Sequence, residues 1–414
     1  MAIRVLWVAL IFSYPVSDFA WYYQRSWDMA TGRGYSVDGV PTAYWPVGYP
    51  AFLGLIYWVF GLNLVYAKLA NVLLYVGILY LSYSIARKLF SSEFTGRMTL
   101  LLLAFYPNHI AYSSLVSPET LFLFLLLLGV ALIMQSERRS LMAAASGVVF
   151  GAACLVKPQA VLVPLILTLH FAKSRKESAR RVLVTLVVVH AALGATMMPW
   201  IARNYSVFGA FVFVSNNGGK NLLMGNSPYA NGTHIHDERL FSLLELGPDD
   251  DEHEVDVKAR NYALKYMLEH PVKTVALWPV KLYYLFSEDV DGARWNNGAN
   301  IWKISYRPSS KIFFWWFIRL SQSYYICTMA AFFISLLVLI AERRRGSGTV
   351  PTTGLWIIGY FTLVYVVMIS FSRYHFPFIP WVLMYVSWLP EWAASRLSVA
   401  VPGMARASPE SGPA

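Results

Sequence analysis

Residues 64–88 read LVYAKLANVLLYVGILYLSYSIARK, and this stretch decides what kind of fold the chain can adopt. From Leu64 to Ala86 the run is apolar, with Lys68 its single charge. A helix of that length, at about 1.5 Å per residue, crosses a hydrocarbon layer about 30 Å thick. Arg87 and Lys88 close the run, as basic residues flank the cytoplasmic end of a membrane span. Upstream, Gly- and Pro-punctuated stretches at Thr31–Gly48 and Gly61–Asn63 isolate Tyr49–Phe60. That piece is apolar but too short to cross alone, and its Tyr and Trp suit a helix in or near the interface. The first apolar run, Val5–Val16, follows Arg4. No small-x-small cleavage site follows it, so it reads as a first helix and not as a signal peptide.

The same pattern recurs downstream. Further spans are expected at about 98–116, 119–135, 141–156, 159–172 and 182–200, then at about 313–341, 353–371 and 376–393, with a short apolar piece at 272–286. Of the 414 residues 57% are hydrophobic and 14% charged, against about 25% charged in soluble domains. A soluble globule is thereby excluded. Cys154 and Cys327 both lie inside apolar runs, offering neither a disulfide framework nor metal-ligand spacing. The net charge of +11 gathers in short clusters between spans, the positive-inside pattern and not a nucleic-acid face.

Four basic clusters fix the direction: Arg87, Lys88 and Arg97; Arg138 and Arg139; Lys173 to Arg181; Arg343 to Arg345. They share one side if 272–286 does not cross. About ten transmembrane helices then place both termini in the cytoplasm, and loops 17–46, 107–118, 201–312 and 372–375 on the outer face. The expected divisions are an N-terminal transmembrane module (1–200), a large outer loop with an interfacial helix (201–312), a C-terminal transmembrane module (313–393) and a disordered cytoplasmic tail (394–414).

Asp18 stands at the outer end of the first helix. An acid there either faces a cavity, where it can act as a base, or is a simple helix-end charge at the headgroups. Glu119, after Pro118, is either a first-turn helix charge or a second acid across the same cavity. Lys157, Arg203 and Arg373 break the positive-inside bias by facing outward. Lys157 could merely snorkel, whereas the Arg fork is suited to phosphate. His109 reads as an interfacial histidine. The run Asp249–Asp256 contains His253, but an N-cap at Asp249 or Asp250 for a helix over Val257–Glu269 explains it without a metal. Residues 216–221, Asn-Asn-Gly-Gly-Lys-Asn, fit no phosphate-loop fingerprint.

Several short motifs, in order, carry a resemblance. They are Ser17-Asp18, Tyr44-Trp45-Pro46-Val47-Gly48-Tyr49-Pro50, Ser117-Pro118-Glu119, Lys157-Pro158, Pro199-Trp200-Ile201-Ala202-Arg203-Asn204-Tyr205, Gly219-Lys220-Asn221 with Gly225-Asn226-Ser227-Pro228, and Arg373-Tyr374-His375-Phe376-Pro377. Together they resemble the bacterial GT-C glycosyltransferases related to aminoarabinose transferases and protein O-mannosyltransferases. The resemblance implies a polytopic helical bundle with an outward cavity fed by a polyprenyl-phosphate sugar. It implies Asp18 as catalytic acid and Arg203 and Arg373 as candidates for the lipid phosphate; Glu119 stands as a second catalytic candidate, and Lys157, Tyr374 and His375 join the donor-binding candidates. No cofactor is required by it; a divalent cation near Asp18 and Glu119 is compatible. The family's first-loop lysine before a Pro-Pro pair is replaced here by Trp45-Pro46-Val47, which sets aside aminoarabinose as the implied sugar. A lipid-linked sugar flippase and a polysaccharide polymerase or ligase are the alternatives. The first would place charges and broken helices at the bilayer midplane; the second would use diphosphate-linked donors.

Overall fold

Where one span was expected, the chain opens with two short helices. The computed structural model describes residues 1–136, 140–235, 238–301, 308–345 and 351–400. Helix α1 (Ala2–Leu10) stops after nine residues, and 11–16 are not helical. Ser17, at φ +55°, then turns the chain into α2 (Asp18–Ala30). Asp18 therefore opens the second helix instead of closing the first. A two-residue antiparallel hairpin (β1, Ser36–Val37; β2, Val40–Pro41) and α3 (Gly48–Phe60) follow. The stretch 17–46 is thus largely ordered helix and turn.

Helix α4 (Leu64–Phe90) has 27 residues, begun by the Asn63 side chain accepting the Val65 N–H. Helix α5 (Glu93–Ala104) is capped in the same manner by Ser92. The span expected at 98–116 breaks at this point. Helix α6 (Pro107–Ala111) and a 3-10 turn at Tyr112–Ser114 meet α7 (Pro118–Ile133) at 116°, because Pro107 and Pro118 lack the N–H groups that would carry a helix through. Helices α8 (Ser140–Val156), α9 (Val163–Arg175) and α10 (Ala179–Phe208) come next, the last running past the expected 200 to take in Arg203.

The segment after α10 holds α11 (Gly218–Gly225), α12 (Arg239–Ser242) and α13 (Glu252–Glu269) around a small core of Leu222, Leu223, Leu240, Leu244, Ala259 and Ala263. The N-cap of α13 is Asp251, not Asp249 or Asp250. Only Asp251 stands three residues before Glu254 and completes a capping box with it; Asp250 instead pairs with Lys258 at 2.7 Å. The apolar piece 272–286 is two helices, α14 (Pro271–Ala276) and α15 (Trp278–Phe286), separated at Leu277 before Pro279. Helix α16 (Asp291–Ile301) leads to α17 (Pro308–Arg344), α18 (Thr353–Val367), a 3-10 turn at Ser372–Phe378 and α19 (Ile379–Ala400). Residues 394–400 thus belong to a helix, and 401–414 lie outside the described residues.

The architecture is the expected all-α membrane bundle, but its spans are unequal. Among the described residues three helices, α4, α10 and the apolar part of α17, are long and apolar enough to cross alone, or four if the bent pair counts as one span. Shorter apolar helices such as α3, α8 and α18, of 13, 17 and 15 residues, make up much of the rest. Helix α7 is apolar on every side and buried at Leu121, Phe122, Leu123, Leu126, Leu127 and Val130, which marks it as the central post of the bundle. The three basic clusters among the described residues share one end. Arg175 donates to the Met134 carbonyl at the end of α7, His170 of α9 lies 3.1 Å from Thr353 of α18, and Arg396 pairs with Glu342 at the ends of α19 and α17. Ser92, between α4 and α5, joins the same end through Glu391. Arg138 and Arg139 lie outside the described residues.

Candidate functional site

At the other end of the bundle, a cavity of about 380 Å³ opens between α2, α7, α18 and the 3-10 turn at 372–378. Asp18, Glu119, Lys157, Arg373 and Tyr374 all line it. Each arrives on a different element. Asp18 and Tyr22 sit one turn apart on α2, which presents them to the same side. Glu119 is in the first turn of α7, so the burial of that central helix carries a carboxylate into the interior. Lys157 stands in the Lys-Pro break between α8 and the turn at 158–160, and Arg373 in the turn after α18.

These charges form two ion pairs. Arg373 Nη1 lies 2.8 Å from Asp18 Oδ2, with side chains 16% and 13% exposed. Lys157 Nζ donates to Glu119 Oε1 at 3.1 Å, with Glu119 only 2% exposed. Glu119 Oε2 has no hydrogen-bond partner among the described residues. Phe19, Phe371, Tyr374 and Trp295 rings lie within 6.0 Å of the Arg373 guanidinium carbon, and Tyr374 within 5.8 Å of Lys157 Nζ. Two acids and two cations make the cavity formally neutral. Each cation keeps further N–H donors beyond its ion pair, so the cavity can offer a phosphate donors beside a carboxylate able to accept a proton.

Arg203 and His375 lie outside the cavity. Arg203 donates to the carbonyls of Tyr35 and Thr42, each at 2.9 Å, with its guanidinium carbon 4.8 Å from the Trp200 ring. It thus braces the segment between α2 and α3, aided by Glu252, which accepts from the Thr42 hydroxyl (2.6 Å) and the Ala43 N–H (2.5 Å). His375 is 1% exposed, with Nδ1 2.6 Å from the Leu285 carbonyl and Nε2 3.3 Å from Asp289. Burial opposes its proton, but the Asp289 carboxylate and its hydrogen bonds hold its pKa above the ordinary histidine value. Asp289, for its part, is raised by burial and pulled below the usual range chiefly by His375 and the Tyr106 hydroxyl. Ser372 donates to Asp291 at 2.6 Å. Arg373 is therefore carried by a turn fastened on both sides.

The cavity also uses residues that sequence reading gave no role: Tyr22, Trp45, Asn221, Tyr365 and Met368. Trp45 and Asn221 fall inside quoted motifs, and two glycines of those motifs are explained by packing. A Cβ on Gly48 would lie 2.6 Å from the Leu155 carbonyl carbon, and one on Gly225 only 1.8 Å from the Met368 oxygen. Helix α3 can then press against the end of α8 that leads to Lys157, and α11 against the end of α18 that leads to Arg373. His109 is buried and stacked at 3.9 Å on Phe376. His253 contacts Asn216 at 3.1 Å, and the described residues hold no group of three or more His, Cys, Asp or Glu able to bind a metal.

Residues 45–201 match the family model described as dolichyl-phosphate-mannose-protein mannosyltransferase. No curated protein matches the chain. Among solved structures, the archaeal oligosaccharyltransferase AglB from Archaeoglobus fulgidus, in complex with an inhibitory peptide and a dolichol-phosphate, is similar over 98% of this chain and 52% of its own, with 11% identity and a TM-score of 0.52. Its apo form gives 12% identity over 99% and 51%, also at 0.52. ArnT from Cupriavidus metallidurans bound to undecaprenyl phosphate gives 13% identity over 98% and 80%, at 0.46. The chain spans about half the length of the archaeal protein and shares its fold, so the bundle is of the GT-C type that the motifs implied.

Proposed function

We propose that this GT-C bundle is an inverting glycosyltransferase that moves a hexose or pentose from a polyprenyl-phosphate donor to a hydroxyl acceptor, a lipid, glycan or protein, on the outer face of the bacterial inner membrane. The observation that carries this reading is the Asp18–Arg373 pair beside the Glu119–Lys157 pair in one cavity. Support comes also from the family match over 45–201.

In this mechanism the donor phosphate enters and takes the Arg373 fork, which suits phosphate oxygens in bidentate fashion. Asp18, released, accepts the proton of the acceptor hydroxyl. The acceptor oxygen then attacks the anomeric carbon while the bond from that carbon to the phosphate oxygen breaks. Arg373 and Lys157 offset the charge that returns to the phosphate. A single displacement inverts that carbon. Glu119 keeps Lys157 ionised and in place.

Transfer of labelled sugar from a panel of polyprenyl-phosphate sugars, in membranes with and without the protein, tests the reading. Asp18→Asn is run in parallel, and a loss of at least about a hundredfold is expected for removal of a general base. Near-normal transfer by the variant would refute the role of Asp18. No transfer from any donor, with the lipid-linked sugar moving between leaflets instead, would establish the flippase.

A further inference from the structure

A second cavity, of about 510 Å³, lies beside the first. Tyr44 and Lys220 line it, while their chain neighbours Trp45 and Asn221 line the first cavity. Its walls are mostly apolar, with Leu223, Met224, Ile235 and Leu240 among them. Lys220 is its distinctive group. The side chain is half-buried, Nζ lies 4.5 Å from the centre of the Tyr44 ring, and no carboxylate among the described residues pairs with it. The Asp256 carboxylate, which accepts the Lys220 backbone N–H at 3.1 Å, and Glu252 act on this ammonium only from beyond ion-pair distance. In contrast, both cations of the first cavity are paired with acids. A buried ammonium without an anion is costly, and a ring face compensates it only in part.

We propose that this second cavity holds the acceptor, and that the acceptor is an anionic amphiphile. Its apolar chain lies against Leu223, Met224 and Leu240, its phosphate sits on Lys220, and its hydroxyl passes Tyr44 and Trp45 towards Asp18. The proposal rests on the transferase reading and adds the chemical class of the acceptor to it. Glu238, the one acid on the wall among the described residues, is exposed.

Native mass spectrometry of the purified full chain tests this without turnover, with lysophosphatidic acid as probe: an acyl chain, a phosphate monoester and a free hydroxyl. Lysophosphatidylcholine and inorganic phosphate serve as comparisons. The expected result is binding of lysophosphatidic acid that weakens about tenfold or more in Lys220→Ala, the usual effect of losing one charge-assisted hydrogen bond. Lys220→Arg and Asp18→Asn keep it, and Met224→Trp, which fills the cavity, blocks it. Undecaprenyl phosphate leaves it in place. Equal binding by Lys220→Ala, equal binding of lysophosphatidylcholine, displacement by undecaprenyl phosphate, or full competition by inorganic phosphate would each overturn the proposal. Because binding is read in the Asp18→Asn protein, failure here is distinct from failure of the transferase reading.

Discussion

Asp18 and Glu119 differ in what each loses when its partner is removed. Glu119 is nearly sealed, so Lys157→Met strands a carboxylate in the interior. Breaking one side of a buried pair costs about 3–5 kcal/mol, whereas removing both sides is often neutral. Lys157→Met is thus expected to lower the thermal unfolding midpoint steeply, and Glu119→Gln added to it to restore most of the loss while transfer stays impaired. A double variant as unstable as the single one would show that the pair does not act as a unit. Arg373→Lys keeps the charge but loses the fork, and kcat is expected to fall about a hundredfold, in the range for one transition-state donor. The acid in Ser17-Asp18 was legible from its position in the sequence. That its partner would be Arg373, 355 positions away, was not, because an ion pair depends on where a distant turn comes to rest. Arg203 looked equivalent to Arg373 in sequence, yet it is turned onto two backbone carbonyls.

At the level of elements, the site depends on helix ends pressed together. Gly225→Ala places a methyl group against the Met368 carbonyl, so α11 and the end of α18 must separate. The expected outcome is a fall in thermal stability together with a loss of transfer, while Gly194→Ala on α10, where a Cβ meets nothing within 4 Å, leaves both unchanged. The turn carrying Arg373 should also respond to pH. His375 has a raised pKa in the folded state, so its contribution is complete below the ordinary histidine value near 6.5 and is lost as pH rises through the raised one. Asp289 has a lowered pKa, so its share is complete above about 3.9 and is lost only as pH falls through the lowered value. Unfolding midpoints measured from pH 6 to 9 should decline more steeply for the native chain than for Asp289→Asn. Parallel curves would remove the pair from the account. Helix positions were legible wherever apolar runs were long, as in α4, α8 and α10. They were misread at 11–17 and 105–117, where apolar composition continues although Pro107, Pro118 and the turn at Ser17 interrupt the helix.

For the whole molecule, the cationic helix ends lie at one end of the bundle and the cavity at the other. With Cys154 and Cys327 replaced, a single cysteine at Glu177 should resist an impermeant maleimide added outside, and one at Asp249 should react. Labelling at Glu177 in intact cells would invert the proposed orientation. Sequence by itself determined the class of fold, because hydropathy and charge are local properties that a bilayer reads segment by segment. It also marked most of the charged side chains that meet in the cavity. Only the tertiary structure decided which of them pair, that Arg203 and His375 brace the site instead of lining it, and that Lys220 has no ion-pair partner among the described residues in a second cavity. Those outcomes depend on close approach between elements remote in the chain, such as Gly48 on Leu155 and Gly225 on Met368, which no periodicity in the sequence encodes.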